Sequence, residues 1–457
     1  MTRTTASFTT LGLFGVLASA CAEGSLGPCP HRLCSIDDPA CVEQIAETMA
    51  CQLELDEVVQ PTVRFLTSDE VVAEIRADTE DRTPEQIRDI TDYFRAESLV
   101  GLMPTDYEYG DQDTNFVDWA IAYYSPLTKE VTIITDNIGD DAKRSYLVMV
   151  HEMVHVYQDA ERDLTALTDE HGTTFDRFLG LRALIEGEAE IYESLADIQF
   201  LGFDPDDVDW PRYFRDYQAF ALDAAAESEA PSLDAIAYFP YAFGSEFYYE
   251  AWKEARTQPD RGATEALFSA PPDSVRQVMA GYRLAHEVVN GDDRLAPHAA
   301  PVLPERYEYL GGGHQSVWLL NAMLQRTAGH MAPWASLELA GVSADHLSIF
   351  RDEESGALVA LWRIQDDGGN SLSDTLVSQA STRWVDGTDG AGDPAAEPTT
   401  HLVVQVDGDL LLVASNGPDA RQVLGQIEGW QTVETLRAQS ERSAAGIAGM
   451  RIFAQGR

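Results

Sequence analysis

His151-Glu152-Met153-Val154-His155 lies in a run from about Asp141 to Arg162 whose apolar positions include Leu147, Val150, Val154 and Tyr157, a spacing that predicts a helix. On a helix, a four-residue spacing puts both imidazoles on one face, one turn apart. There the two rings can bind one metal ion, while Glu152 projects beside them toward a metal-bound water. Chance alone yields such a pentapeptide in roughly one chain in a hundred of this size, so the motif needs a third ligand to carry weight.

A Gly and then a His soon after the second motif His would supply that ligand in a metzincin, but the corresponding positions are Gln158 and Glu161. The other solution is a Glu from a following helix. Leu184-Ile185-Glu186-Gly187-Glu188-Ala189-Glu190 offers one about 30 residues on, at the centre of a helical run from about Phe175 to Phe200. With these residues the chain resembles the gluzincins, the thermolysin-like zinc peptidases. The resemblance implies a zincin-like domain holding Zn2+ through His151, His155 and Glu186. It implies that Gly187 lets the motif helix and the Glu186 helix approach closely and that Glu190 accepts a hydrogen bond from a ligand His. Glu188 and Glu193 fit a solvated helix face better. Weaker parts of the resemblance are the strand Glu130 to Ile134, whose edge would meet the substrate backbone, and Gln158-Asp159 after the motif. Pro240-Tyr241-Ala242-Phe243-Gly244-Ser245-Glu246-Phe247 and Pro271-Pro272-Asp273-Ser274 are of low specificity.

Three protein ligands leave one position for water, whose pKa falls to about 7, and Glu152 would act as the general base in peptide hydrolysis. A tetrahedral oxyanion also wants a second donor. Tyr241 is the candidate, with Tyr238 and His314 as others. The competing expectation is a catalytically silent, zinc-binding envelope lipoprotein acting as a binding or maintenance factor. The intact Glu152 favours the enzyme, because a structural metal site has no use for a base there.

The N-terminus has the layout of an export signal over residues 1–20: Arg3, an apolar stretch from Phe8 to Leu17, and small residues running into Cys21. Leu17-Ala18-Ser19-Ala20-Cys21 resembles a lipobox, although Ala18 stands where the usual pattern has Leu; a plain secretory signal is the alternative. The lipobox implies a lipid on Cys21 and membrane anchoring at the cell envelope, and Ala22 resembles the pattern sorted to an outer membrane. Cys29, Cys34, Cys41 and Cys51 remain as an even set in an exported chain, which predicts two disulfides with three possible connectivities. A four-Cys zinc site is disfavoured by the lack of paired C-x-x-C units.

The expected organisation is α+β. A Cys-rich segment (21–60), read as a tether or cap, precedes a mainly helical peptidase domain with a short sheet (61–340) and a smaller α+β unit (341–457). A hairpin is expected through Ser125-Pro126-Leu127-Thr128-Lys129. In the last unit His346–Phe350 should pair with Leu358–Ile364, and Leu402–Val406 with Leu410–Ala414. Helices are expected at Leu372–Trp384 and Gly417–Gly425. With 44% hydrophobic residues over 457 positions the chain can bury a large core. Its 77 Asp+Glu against 31 Lys+Arg make a formal charge of -46, which repels nucleic acid but names no substrate; a peptide or protein substrate is what the resemblance to the gluzincins implies.

Overall fold

The computed structural model describes residues 29–77, 82–103, 120–139, 141–227, 231–256, 262–288, 300–320, 342–366, 400–406 and 409–431, with residues 106, 108, 110, 117 and 295. The export and lipidation residues, Cys21 included, the Leu372–Trp384 helix and the Asp407-Gly408 turn expected between Leu402–Val406 and Leu410–Ala414 fall outside them. The fold is α+β.

Helix α1 (Pro39–Gln52) starts at an Asp38 cap with Pro at its first position, and disulfides Cys29–Cys51 and Cys34–Cys41 close the segment around it. Paired cysteines fit an oxidising, exported compartment. No helix among the described residues is long and apolar enough to cross a membrane. The segment is part of the core rather than a tether. Ile45, Ala46 and Met49 are fully buried, and the Ala46 carbonyl accepts the Tyr157 hydroxyl at 2.8 Å. His31 is buried too, between Tyr146 (3.1 Å) and Gln52 (2.9 Å), and burial pulls its pKa down to about 4.

Strand β1 (Thr62–Leu66), α2 (Ser68–Ala77) and α3 (Pro84–Leu99) lead to the hairpin of β2 (Ala122–Ser125) and β3 (Glu130–Ile134). The hairpin turns where expected, with Lys129 at φ 59°. The strand order is β1-β3-β2, so Glu130–Ile134 is the central strand, pairing parallel with β1 and antiparallel with β2. Both of its edges are used, which overturns the expectation that it meets the substrate. Among the described residues, the edge beside the motif helix belongs to β2.

The helices follow: α4 (Ala142–Arg162), α5 (Leu164–His171), α6 (Phe175–Leu201), α7 (Trp210–Glu227), α8 (Pro231–Ala255), α9 (Gly262–Ser269) and α10 (Val275–Ala280). Helix α8 begins well before Pro240, which sits inside it. Phe239 stacks on Phe243 at 5.0 Å and meets Trp318, packing that holds the turn whose backbone bond the proline removes. Ser274 caps α10, so the Pro-Pro-x-Ser segment has a local structural use.

Strands β4 (Ala300–Val302) and β5 (Tyr307–Gly313) precede residues 316–320, which are helical. Strands β6 (Val342–Asp352), β7 (Leu358–Asp366), β8 (Thr400–Val406) and β9 (Asp409–Ser415) join β5 in an antiparallel sheet of order β5-β6-β7-β9-β8. Helix α11 (Ala420–Leu424) and β10 (Gly429–Gln431), paired with β4, close the described chain. Both expected hairpins form, with Phe350 opposite Val359 and Leu402 opposite Val413. The expected boundary at 340/341 instead falls inside the sheet, because β5 pairs with β6. Leu347, Ile349, Trp362 and Leu412 belong to one core with α1, α4, α6 and α8, whereas Phe350, Leu361 and Val413 face the opposite side toward α11. Strands buried on both faces read as continuous apolar runs, as Leu358–Trp362 does.

Candidate metal centre

Asp141 caps α4 by accepting the amides of Lys143 and Arg144, and the helix is buried almost continuously from Tyr146 to Asp159. Its far end is pinned to the hairpin. The Asp159 carboxylate accepts the Tyr124 hydroxyl at 2.6 Å and Lys129 Nζ at 2.5 Å. Helix α6 crosses alongside, capped by Thr174 and ended by Gly202 at φ 75°.

These two helices bring His151, His155 and Glu186 together. Glu186 Oε2 lies 3.3 Å from His151 Nε2 and 3.3 Å from His155 Nε2. The remote ring nitrogens are engaged from behind. His151 Nδ1 meets Glu193 Oε2 at 3.1 Å and His155 Nδ1 meets Gln158 Oε1 at 2.8 Å, so both rings have an acceptor at Nδ1. Protons on Nδ1 leave lone pairs on Nε2, and three acceptor atoms then converge on one point, an arrangement that calls for a cation. Ligands about 2.0–2.1 Å from a tetrahedral ion sit about 3.3–3.4 Å from each other, so the donor set and its spacing fit a small divalent metal. The group could hold a metal ion, and all three residues are buried.

Glu186 Oε1 faces away and accepts Arg182 Nη2 at 3.0 Å. Burial alone would push the Glu186 carboxyl up, but its close contacts with His155, His151 and Arg182 outweigh it and hold it well below its usual range. Burial likewise pulls His151 down, and the Glu186 and Glu193 carboxylates more than reverse that. Glu152 is buried, and its Oε2 meets no hydrogen-bond partner among the described residues. Burial pushes its carboxyl up, against the pull of His155 and His151. A buried carboxylate oxygen without a donor suits a group that must accept a proton.

Tyr241 stacks on His151 with ring centroids 5.7 Å apart, and burial, with the Glu186 carboxylate beside it, pushes its hydroxyl pKa well above the usual value. The other two donor candidates lie elsewhere. Tyr238 packs against the Phe220 ring, and His314 bonds the Asp345 carbonyl against the His346 ring in the large sheet. Glu190 does not take the place expected of it behind a ligand His. It accepts the Tyr213 hydroxyl at 3.2 Å, while Glu193, one turn further on, meets His151. Glu188, expected in solvent, is 1% exposed.

Four contributors were not expected from the sequence. Arg182 and Glu193 stand four residues before and seven after Glu186, spacings that return to the same helix face, so that signal is present. Glu188 is flanked on its own face by Leu184, Ile191 and Tyr192, which marks it as buried. Gln158 stands in the Gln-Asp pair that follows the motif, but that pattern does not indicate its contact with His155. No family model matches this sequence, and comparison with curated proteins and with solved structures returned no match.

Proposed function

We propose that this protein is a zinc-dependent peptidase of the cell envelope, anchored by lipid on Cys21, that resembles the gluzincins in how it holds its metal. The observation that supports this most is the convergence of Glu186 Oε2 with both Nε2 atoms at 3.3 Å, beside the buried Glu152 carboxylate. A divalent cation held by His151, His155 and Glu186 supplies Lewis acidity, lowering the pKa of water and polarising a substrate carbonyl. Glu152 takes the proton from the attacking water and returns it to the leaving amine. Tyr241, protonated at neutral pH, donates its hydroxyl to the developing oxyanion. An extended substrate adds its backbone to the edge strand β2 (Ala122–Ser125), which Asp159 ties to α4 through Tyr124.

Incubation of the purified, zinc-supplemented protein with a peptide library tests the proposal. Cleavage at recurrent bonds, abolished by a chelator and restored by zinc, is the expected result. Zinc binding without cleavage would instead identify a catalytically silent, metal-binding envelope protein.

A further inference from the structure

Glu188 lies two residues from Glu186 on α6 and points to the opposite side of the helix, where Leu184, Ile191 and Tyr192 surround it in sequence. A carboxylate buried to 1% exposure among such residues is costly unless its oxygens are bonded. Both are: Tyr248 of α8 donates to Oε1 at 2.6 Å and the Gln158 amide of α4 donates to Oε2 at 2.9 Å. Gln158 also donates to the Ile185 carbonyl at 2.9 Å, and turns its own Oε1 to His155 Nδ1 at 2.8 Å.

We infer that Gln158, Glu188 and Tyr248 are positioning residues forming a relay that fixes which nitrogen of His155 carries the proton. The inference rests on the proposed role of His155 as a metal ligand. Gln158 has two amide hydrogens, and Glu188 and the Ile185 carbonyl are both acceptors. Turning the amide over would set its oxygen against two acceptors and forfeit two buried hydrogen bonds, each worth about 1 kcal/mol net. The amide is therefore locked with Oε1 toward His155, and Nδ1 must be the donor. Nε2 then keeps its lone pair and faces Glu186. Tyr248 anchors the far end, so three helices meet at this one relay.

Glu188→Gln keeps the shape of the side chain but supplies a donor, which lets Gln158 turn and releases the choice of tautomer. Two readouts apply: zinc affinity of the purified protein by competition with a chelator, and ring-nitrogen NMR of the metal-free protein at alkaline pH. The expected result is a Kd for zinc raised about 10- to 100-fold, with His155 changing from a single Nδ1–H tautomer to a mixture. Tyr248→Phe, which removes only the anchoring hydroxyl, should move both readouts the same way by less, and carries the test if Glu188→Gln does not fold. A parental Kd and a single Nδ1–H tautomer in the variant that folds would overturn the relay while leaving the metal centre standing. A parent protein that binds no zinc would overturn the reading of the centre itself, and the relay with it.

Discussion

Replacing Glu152 by glutamine should leave the metal in place and abolish hydrolysis. The Glu152 Oε2 is buried with no hydrogen-bond partner among the described residues. The amide preserves volume and removes basicity, so only proton transfer is lost, on the order of 10²–10⁴-fold in rate. His151→Ala, His155→Ala and Glu186→Ala remove an atom from the converging set instead, and should lower zinc content and activity together. Zinc content measured alongside peptide turnover separates the two classes. Parental turnover in Glu152→Gln would remove the general base from the mechanism.

A methyl group at Gly244 should destabilise the whole molecule. Gly187 of α6 and Gly244 of α8 face one another. A Cβ on Gly187 would lie 2.2 Å from the Gly244 carbonyl oxygen, and one on Gly244 would lie 1.9 Å from the Ala183 carbonyl oxygen. These are backbone atoms that cannot swing aside, so the helices must separate, at a cost of about 1–3 kcal/mol or more. The displaced α6 carries Glu186, and zinc affinity should fall with the melting temperature. Gly429→Ala is the control, because a Cβ there meets nothing within 4 Å. Thermal unfolding in which Gly244→Ala and Gly429→Ala melt together would contradict the packing described.

How much of this is legible in the sequence depends on whether the signal is local. The motif helix and its partner are legible because ligand chemistry and helical spacing coincide in His151, His155 and Glu186. The two hairpins of the large sheet are legible from apolar runs broken by turn residues. Strand order is not: Glu130–Ile134 becomes central only because β1, more than 60 residues earlier, pairs with it in parallel. The sheet likewise recruits β5 from before the expected boundary, through a pairing that no local pattern announces. The close approach expected of Gly187 is present, but its partner is α8 rather than the motif helix. Glu190 and Glu193 both return to the Glu186 face, and only packing against α7, through Tyr213, decides which of them reaches His151.

Metal analysis of the purified protein, dialysed after exposure to excess zinc, tests the central claim most directly. The parent and Glu152→Gln should each retain about one zinc per chain, and His155→Ala and Glu186→Ala well below that, as expected for a site built from three protein ligands. Metal absent from the parent, or retained equally by all four proteins, would contradict a centre formed by His151, His155 and Glu186.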